Sequence, residues 1–121
     1  MGMEDSIGKA LTATVGEITP IYLYEAETED YPYAVYYYTP EFFSTKDGVY
    51  KIAADVTLQV YSGDFDEAYA LAGEIRGAIL SGMNGNAFMS RVSTVSKECV
   101  EGIWNIETVY KITQIDTWQQ N

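Results

Sequence analysis

The chain has 121 residues, a formal net charge of −11, 47% hydrophobic and 21% charged residues, a single cysteine and no histidine. That length suits one domain and is short for two; a domain of this size buries roughly two-thirds of its unfolded surface and can fold without staples. Seven basic residues against eighteen acidic ones oppose binding to nucleic acid, whose affinity comes from Lys and Arg on phosphates, and binding to anionic membranes.

Without histidine, general acid–base chemistry loses its commonest agent and zinc its usual ligands. No apolar run approaches the roughly 18 residues of a membrane span. The acidic amino terminus does not read as a signal peptide. Met1-Gly2 ahead of Met3 reads as a cloning remnant, so one α+β domain is expected over 3–121. Cys99 excludes an internal disulfide and is expected as a packed or half-buried thiol.

Met3, Ile7, Ala10, Leu11 and Thr14 recur at helical spacing, predicting a short helix to Val15 with Gly16 as its C′ glycine. Ile21 to Tyr24 predicts a brief strand, and the acidic run Glu25–Asp30 a solvated connection. Tyr33 to Thr39 predicts a strand with Tyr33, Val35 and Tyr37 on one face and Tyr36 and Tyr38 on the other. Pro40 is expected to end it, leaving Phe42, Phe43, Lys46, Asp47 and Gly48 in a loop. From Val49 to Tyr61 apolar and polar residues alternate, the clearest half-buried strand in the chain.

Ser62-Gly63 predicts a turn, and Asp64 with Glu67 has the spacing of a capping box. Ala68, Leu71, Ala72, Ile75, Ala78 and Ile79 then make an apolar helical stripe. Turn-forming residues over 81–86 stop that helix. Two strands follow, over 87–96 and 103–117, joined near Glu101-Gly102. The order α-β-β-β-α-β-β with short links implies an antiparallel sheet of four to five strands, covered on one face by two helices. One helical layer covers one sheet face, so part of the tyrosine-rich strand is expected to stay exposed and mark a contact site.

Few of the short motifs carry chemistry. Ser6-Ile7-Gly8-Lys9 matches a Ser-x-x-Lys string without its companion elements. Gly82-Met83-Asn84-Gly85 echoes a Gly-x-x-Gly nucleic-acid clamp, but a helix stop explains it better in surroundings this acidic. Asp64 and Asp66 have sufficient reason in capping and the helix dipole. Glu25, Glu27 and Glu29 would share one side if extended, which fits a negative surface or plain solvation better than a calcium site. Phe42-Phe43, in a loop, would present an aromatic anchor to a partner chain. No cofactor or metal site is expected, and no nucleophile–base pair can be assembled.

The succession of an amino-terminal helix, a short strand, an acidic turn, Tyr31-Pro32-Tyr33-Ala34-Val35-Tyr36, the long strand Asp55–Tyr61 and then Asp64-Phe65-Asp66-Glu67-Ala68 resembles the tail-terminator, or tail-completion, proteins of long-tailed phages and prophages. The likeness spans nearly the whole chain, most tellingly at the Pro-Tyr strand and the strand-to-helix junction. From Ala87 onward it is one of layout alone. It implies a non-enzymatic virion protein at the head–tail junction, assembled in the host cytoplasm. Such proteins form rings, commonly hexameric, that cap the tail tube and receive the head connector, while DNA passes without specific binding and no membrane is involved. On that footing Phe42, Phe43, Tyr36 and Tyr38 are the expected interface, and Glu25, Glu27, Glu29 and Asp30 the expected acidic lining of the lumen. Two other readings compete. One is a small-molecule module with an apolar pocket lined by Tyr33, Tyr37 and Trp104; the other is an acidic inhibitory, DNA-mimicking protein.

Overall fold

The order read from the periodicities is the order found. The computed structural model describes residues 4–28, 30–44, 49–82 and 88–117. Helix α1 (Glu4–Val15) precedes strands β1 (Ile21–Leu23), β2 (Tyr33–Ser44) and β3 (Val49–Ser62); helix α2 (Phe65–Gly82) and strands β4 (Phe88–Val100) and β5 (Ile103–Thr117) follow. The five strands form one sheet in the order β1-β2-β3-β5-β4. Every neighbouring pair is antiparallel except β1 with β2, which run parallel, so the sheet is mixed where a wholly antiparallel one was expected. The reason is length. A three-residue strand advances the chain only about 10 Å, and the connection over 24–32 can return that distance without a crossover helix.

Even-numbered residues of β2, β3 and β5 face the helices. Ile52, Val56, Leu58, Val60, Ile106 and Ile112 are buried there against Ile7, Leu11 and Val15 of α1 and Ala68, Ala72, Ile75 and Ile79 of α2. Each valine, leucine and isoleucine among them contributes roughly 1.5–3 kcal/mol by leaving water. Gly8 lets α1 lie close to β2: a β-carbon there would stand 3.2 Å from the Tyr38 hydroxyl and 3.4 Å from that of Tyr36. The helix ends with the Gly16 amide donating to the Thr12 carbonyl at 2.8 Å. Gly16 does not have the left-handed conformation expected of a C′ glycine.

Pro40 does not end β2. The Ala34 amide donates to Pro20 and the Tyr36 carbonyl accepts from Tyr24, so even-numbered residues turn their backbone groups toward the β1 side. Pro40 shares that parity, and its missing N–H therefore faces the outer edge rather than the β3 ladder, which tolerates it. The strand continues, and Phe42 and Phe43 pair through their backbones with Ile52 and Lys51. They are strand residues and not a loop.

At the other edge β4 and β5 form a hairpin. Glu101 and Gly102 both take positive φ, +53° and +83°, the two-residue turn whose twist suits paired strands. A bulge between Val92 and Thr94 re-aims the strand. Beyond it, residues from Ser93 to Val100 are exposed on both faces, although α2 meets this arm at its first residue, where Lys97 Nζ lies 5.4 Å from the Phe65 ring centroid. Cys99 lies there and is exposed, in place of the packed thiol expected.

Candidate assembly surface

The sheet face opposite the helices is uncovered, and tyrosines collect at its β1–β2 corner. Parallel pairing sets Tyr22 beside Val35, and the Tyr22 ring meets that of Tyr33 edge-on at 6.3 Å. Tyr31 stacks on Tyr33 at 5.4 Å, and Tyr33 lies 5.2 Å from Tyr61 of β3. Tyr24 has a left-handed backbone, φ +68°, and stacks on Tyr37 at 6.2 Å. Tyr24 is 65% exposed and Tyr31 45%, while Val35 beneath the cluster is 6% exposed. Rings of this kind supply rigid apolar area with a hydrogen-bonding tip, which is why they favour interfaces.

The Tyr33 and Tyr61 phenols hold their protons more tightly than a free tyrosine does. Burial, and behind it Tyr31, raises the pKa of Tyr33. Burial raises that of Tyr61 as well, followed by Tyr33, Tyr37, Glu107 and Glu98. The Tyr61 hydroxyl donates to Gln59 Oε1 at 2.9 Å, and Gln59 Nε2 donates to Glu107 at 3.0 Å. Farther along the face, Lys111 and Asp55 pair at 2.9 Å, but both are well exposed, so this pair adds about 1 kcal/mol at most. Beside it an open trough of about 420 Å³ lies over Ala53 and Thr113, bordered by Tyr37 and Glu41.

The expected interface residues separate. Tyr36 is 5% exposed and belongs to the core, with its hydroxyl 3.5 Å from Thr12 Oγ1. Tyr38 is half-buried and stacked on Tyr36 at 6.2 Å. Phe43 is exposed on the open face, with Lys51 Nζ 5.1 Å from its ring centroid. The Phe42 side chain lies outside the described set. Of the expected acidic lining, Glu25, Glu27 and Asp30 are exposed; Glu29 lies outside the described residues. The segment is turned rather than extended, since the Glu25 amide donates to Leu23 and the Asp30 amide to Thr28 Oγ1.

A shared pocket of Tyr33, Tyr37 and Trp104 does not exist. Tyr33 and Tyr37 stand on the open face, while Trp104 packs on the helix side, 4.8 Å edge-on from Phe65. Strand parity separates them. Sequence reasoning missed Tyr22 and Tyr24 as members of the patch, because the parallel pairing of β1 brings them beside β2, and Tyr31, which joins by stacking on Tyr33 two residues along.

No family model matches the sequence, and no curated protein matches it. Among solved structures, the chain is similar to one from the virion of a native gene transfer agent (GTA) particle. The TM-score is 0.65, over 88% of this chain and 84% of that one, at 19% sequence identity. This chain shares a fold with that virion chain. The likeness spans most of both chains rather than a fragment of either. Among the described residues no helix is long and apolar enough to cross a membrane.

Proposed function

We propose that this chain is a structural virion protein, a ring subunit that caps a tail tube and offers the surface to which the head is joined. The observation that carries this reading is the likeness of fold to a virion chain over most of both molecules. The resemblance of the Pro-Tyr strand and of the strand-to-helix junction to tail terminators points the same way. Its partners are then copies of itself, tail-tube and head-connector proteins, with DNA passing through the ring unbound. An uncovered sheet face rich in tyrosine supports a role fulfilled by contact with other chains. The net charge of −11, multiplied around a ring, would repel phosphate from the channel wall, which in this reading includes Glu25, Glu27, Glu29 and Asp30.

Electron microscopy of the purified chain mixed with tail tubes tests the reading. Rings are expected on one end of each tube, ending its growth; tubes that elongate unchanged in its presence would reject it. Within the ring, Phe43 on the open face is expected at a subunit contact. Phe42→Ala with Phe43→Ala should lower the oligomeric fraction at tube ends roughly tenfold. An unaltered fraction removes the Phe42–Phe43 segment from the contact.

A further inference from the structure

The large exposed hydrophobic side chains are not spread evenly. On one side of the sheet they are Leu23, Tyr24, Tyr31, Tyr37 and Phe43, at β1 and β2; on the other they are Met89, Val95 and Val100 of β4. Apart from Tyr69 on α2, none lies elsewhere among the described residues, the described side chains of the central strands β3 and β5 included. β1 and β4 are the opposite edges of the sheet. The apolar surface that water would rather lose is therefore divided between two distant edges.

The charges divide in the same sense. Between Lys9 and Lys46 the chain has no basic residue, and exposed Glu25 and Glu41 flank the tyrosine edge. On β4 the exposed Arg91 and Lys97, the latter over the Phe65 ring at 5.4 Å, offset exposed Glu98 and the turn's Glu101, in a chain whose total is −11. The acidic tyrosine edge placed against its own copy would set like charge on like, whereas Arg91 and Lys97 of the balanced β4 edge give it cations to meet. β4 also presents a long strand with an unpaired outer side, the kind of edge that recruits another chain.

We infer that the two edges meet each other: β4 of one copy docks, through Met89, Arg91, Val95 and Lys97, on the β1–β2 edge of the next. The partner is a second copy of this chain. Because the contact joins different surfaces, it leaves one of each free on every pair and propagates, closing as a ring when the rotation allows. This assignment rests on the ring reading above and names the surfaces that build it.

Thiol cross-linking of the full chain tests the pairing. In a Cys99→Ser background, Thr39→Cys marks the β2 edge and Ser93→Cys marks β4. Within one chain those strands are three spacings apart, roughly 14 Å or more, so a shorter bismaleimide cannot join them internally. Where native mass or microscopy shows oligomer, the chain with both thiols is expected to give a covalent ladder rising to the full ring. Chains with either thiol alone are expected to give no ladder. An oligomer that yields no ladder overturns the pairing and leaves the ring standing; a chain that stays monomeric both alone and with tail tubes overturns both. As a second measurement, Arg91→Glu should cut the oligomeric fraction roughly tenfold at an unchanged melting temperature. An unchanged fraction would also overturn the pairing.

Discussion

Tyr110 stands in the middle of β5 with its ring among the core residues and no exposed area, and its hydroxyl has no hydrogen-bond partner. Burial pushes its pKa up to about 12, against smaller lowering by the Arg76 charge and by the Thr108 hydroxyl, which stands on the same face of β5 but closes no hydrogen bond of good geometry with it. A phenol whose pKa is raised on folding stabilises the protein fully below the unfolded value of 10.0 and loses that contribution as pH climbs through the folded value. The size is on the order of 2–3 kcal/mol. Tyr110→Phe also removes an unsatisfied buried group, so urea unfolding at pH 7 should show stability within about 1 kcal/mol of the parent, or above it. Between pH 10 and 12 the variant should lose less stability than the parent. A clear loss at pH 7 would mean that the hydroxyl is satisfied after all. The alternation around Tyr110 made its inward face legible in the sequence. That the hydroxyl would lack a partner was not legible, because partners come from other strands and helices.

Helix α2 shows how a local signal can be right in outline and incomplete in chemistry. The spacing of Asp64 and Glu67 pointed to a capped start, and the helix begins at Phe65. The closure runs through a third residue. The buried Ser62 hydroxyl accepts from the Asp64 amide at 3.1 Å and donates to the Glu67 carboxylate at 2.6 Å. One hydroxyl thus couples the end of β3 to the first turn of α2, and the negative carboxylate suits the positive helix terminus. Ser62→Ala should cost about 1–2 kcal/mol, read as a lower urea midpoint with an unchanged slope. A loss near zero would mean that water replaces the hydroxyl. Pro40 and β4 were the elements least legible in sequence. A proline halts or joins a strand according to which way its missing N–H points, and that depends on register. β4 reads as polar over Ser93-Thr94-Val95-Ser96-Lys97-Glu98, a cue that neither face would be covered. How far the helices extend over the sheet is a matter of packing alone.

At the scale of the molecule, two helices cover one face, tyrosines stand uncovered on the other, and the two sheet edges differ in charge. The acidic segment supplies a test of how the whole is used. Glu27→Lys with Asp30→Lys, leaving Glu25 of the proposed subunit contact intact, changes only exposed side chains, so stability should stay within about 0.5 kcal/mol for each change. If these acids line a channel for DNA, rings should still form at tube ends while DNA delivery by assembled particles falls roughly tenfold. Undiminished delivery would place the acids elsewhere on the ring.

The element order, the helix stripes, the alternation of β3 and the uncovered face of β2 were determined by the sequence alone. Each depends on the spacing of apolar residues along a few consecutive turns or pleats. Only the tertiary structure decided that β1 runs parallel to β2, that Tyr22, Tyr24 and Tyr31 join Tyr33, Tyr37 and Tyr61, and that Tyr36 is core. It also decided that β4 is exposed on both faces from Ser93 to Val100. These facts depend on which strands become neighbours, and neighbours distant in sequence are chosen by the packing of the whole sheet.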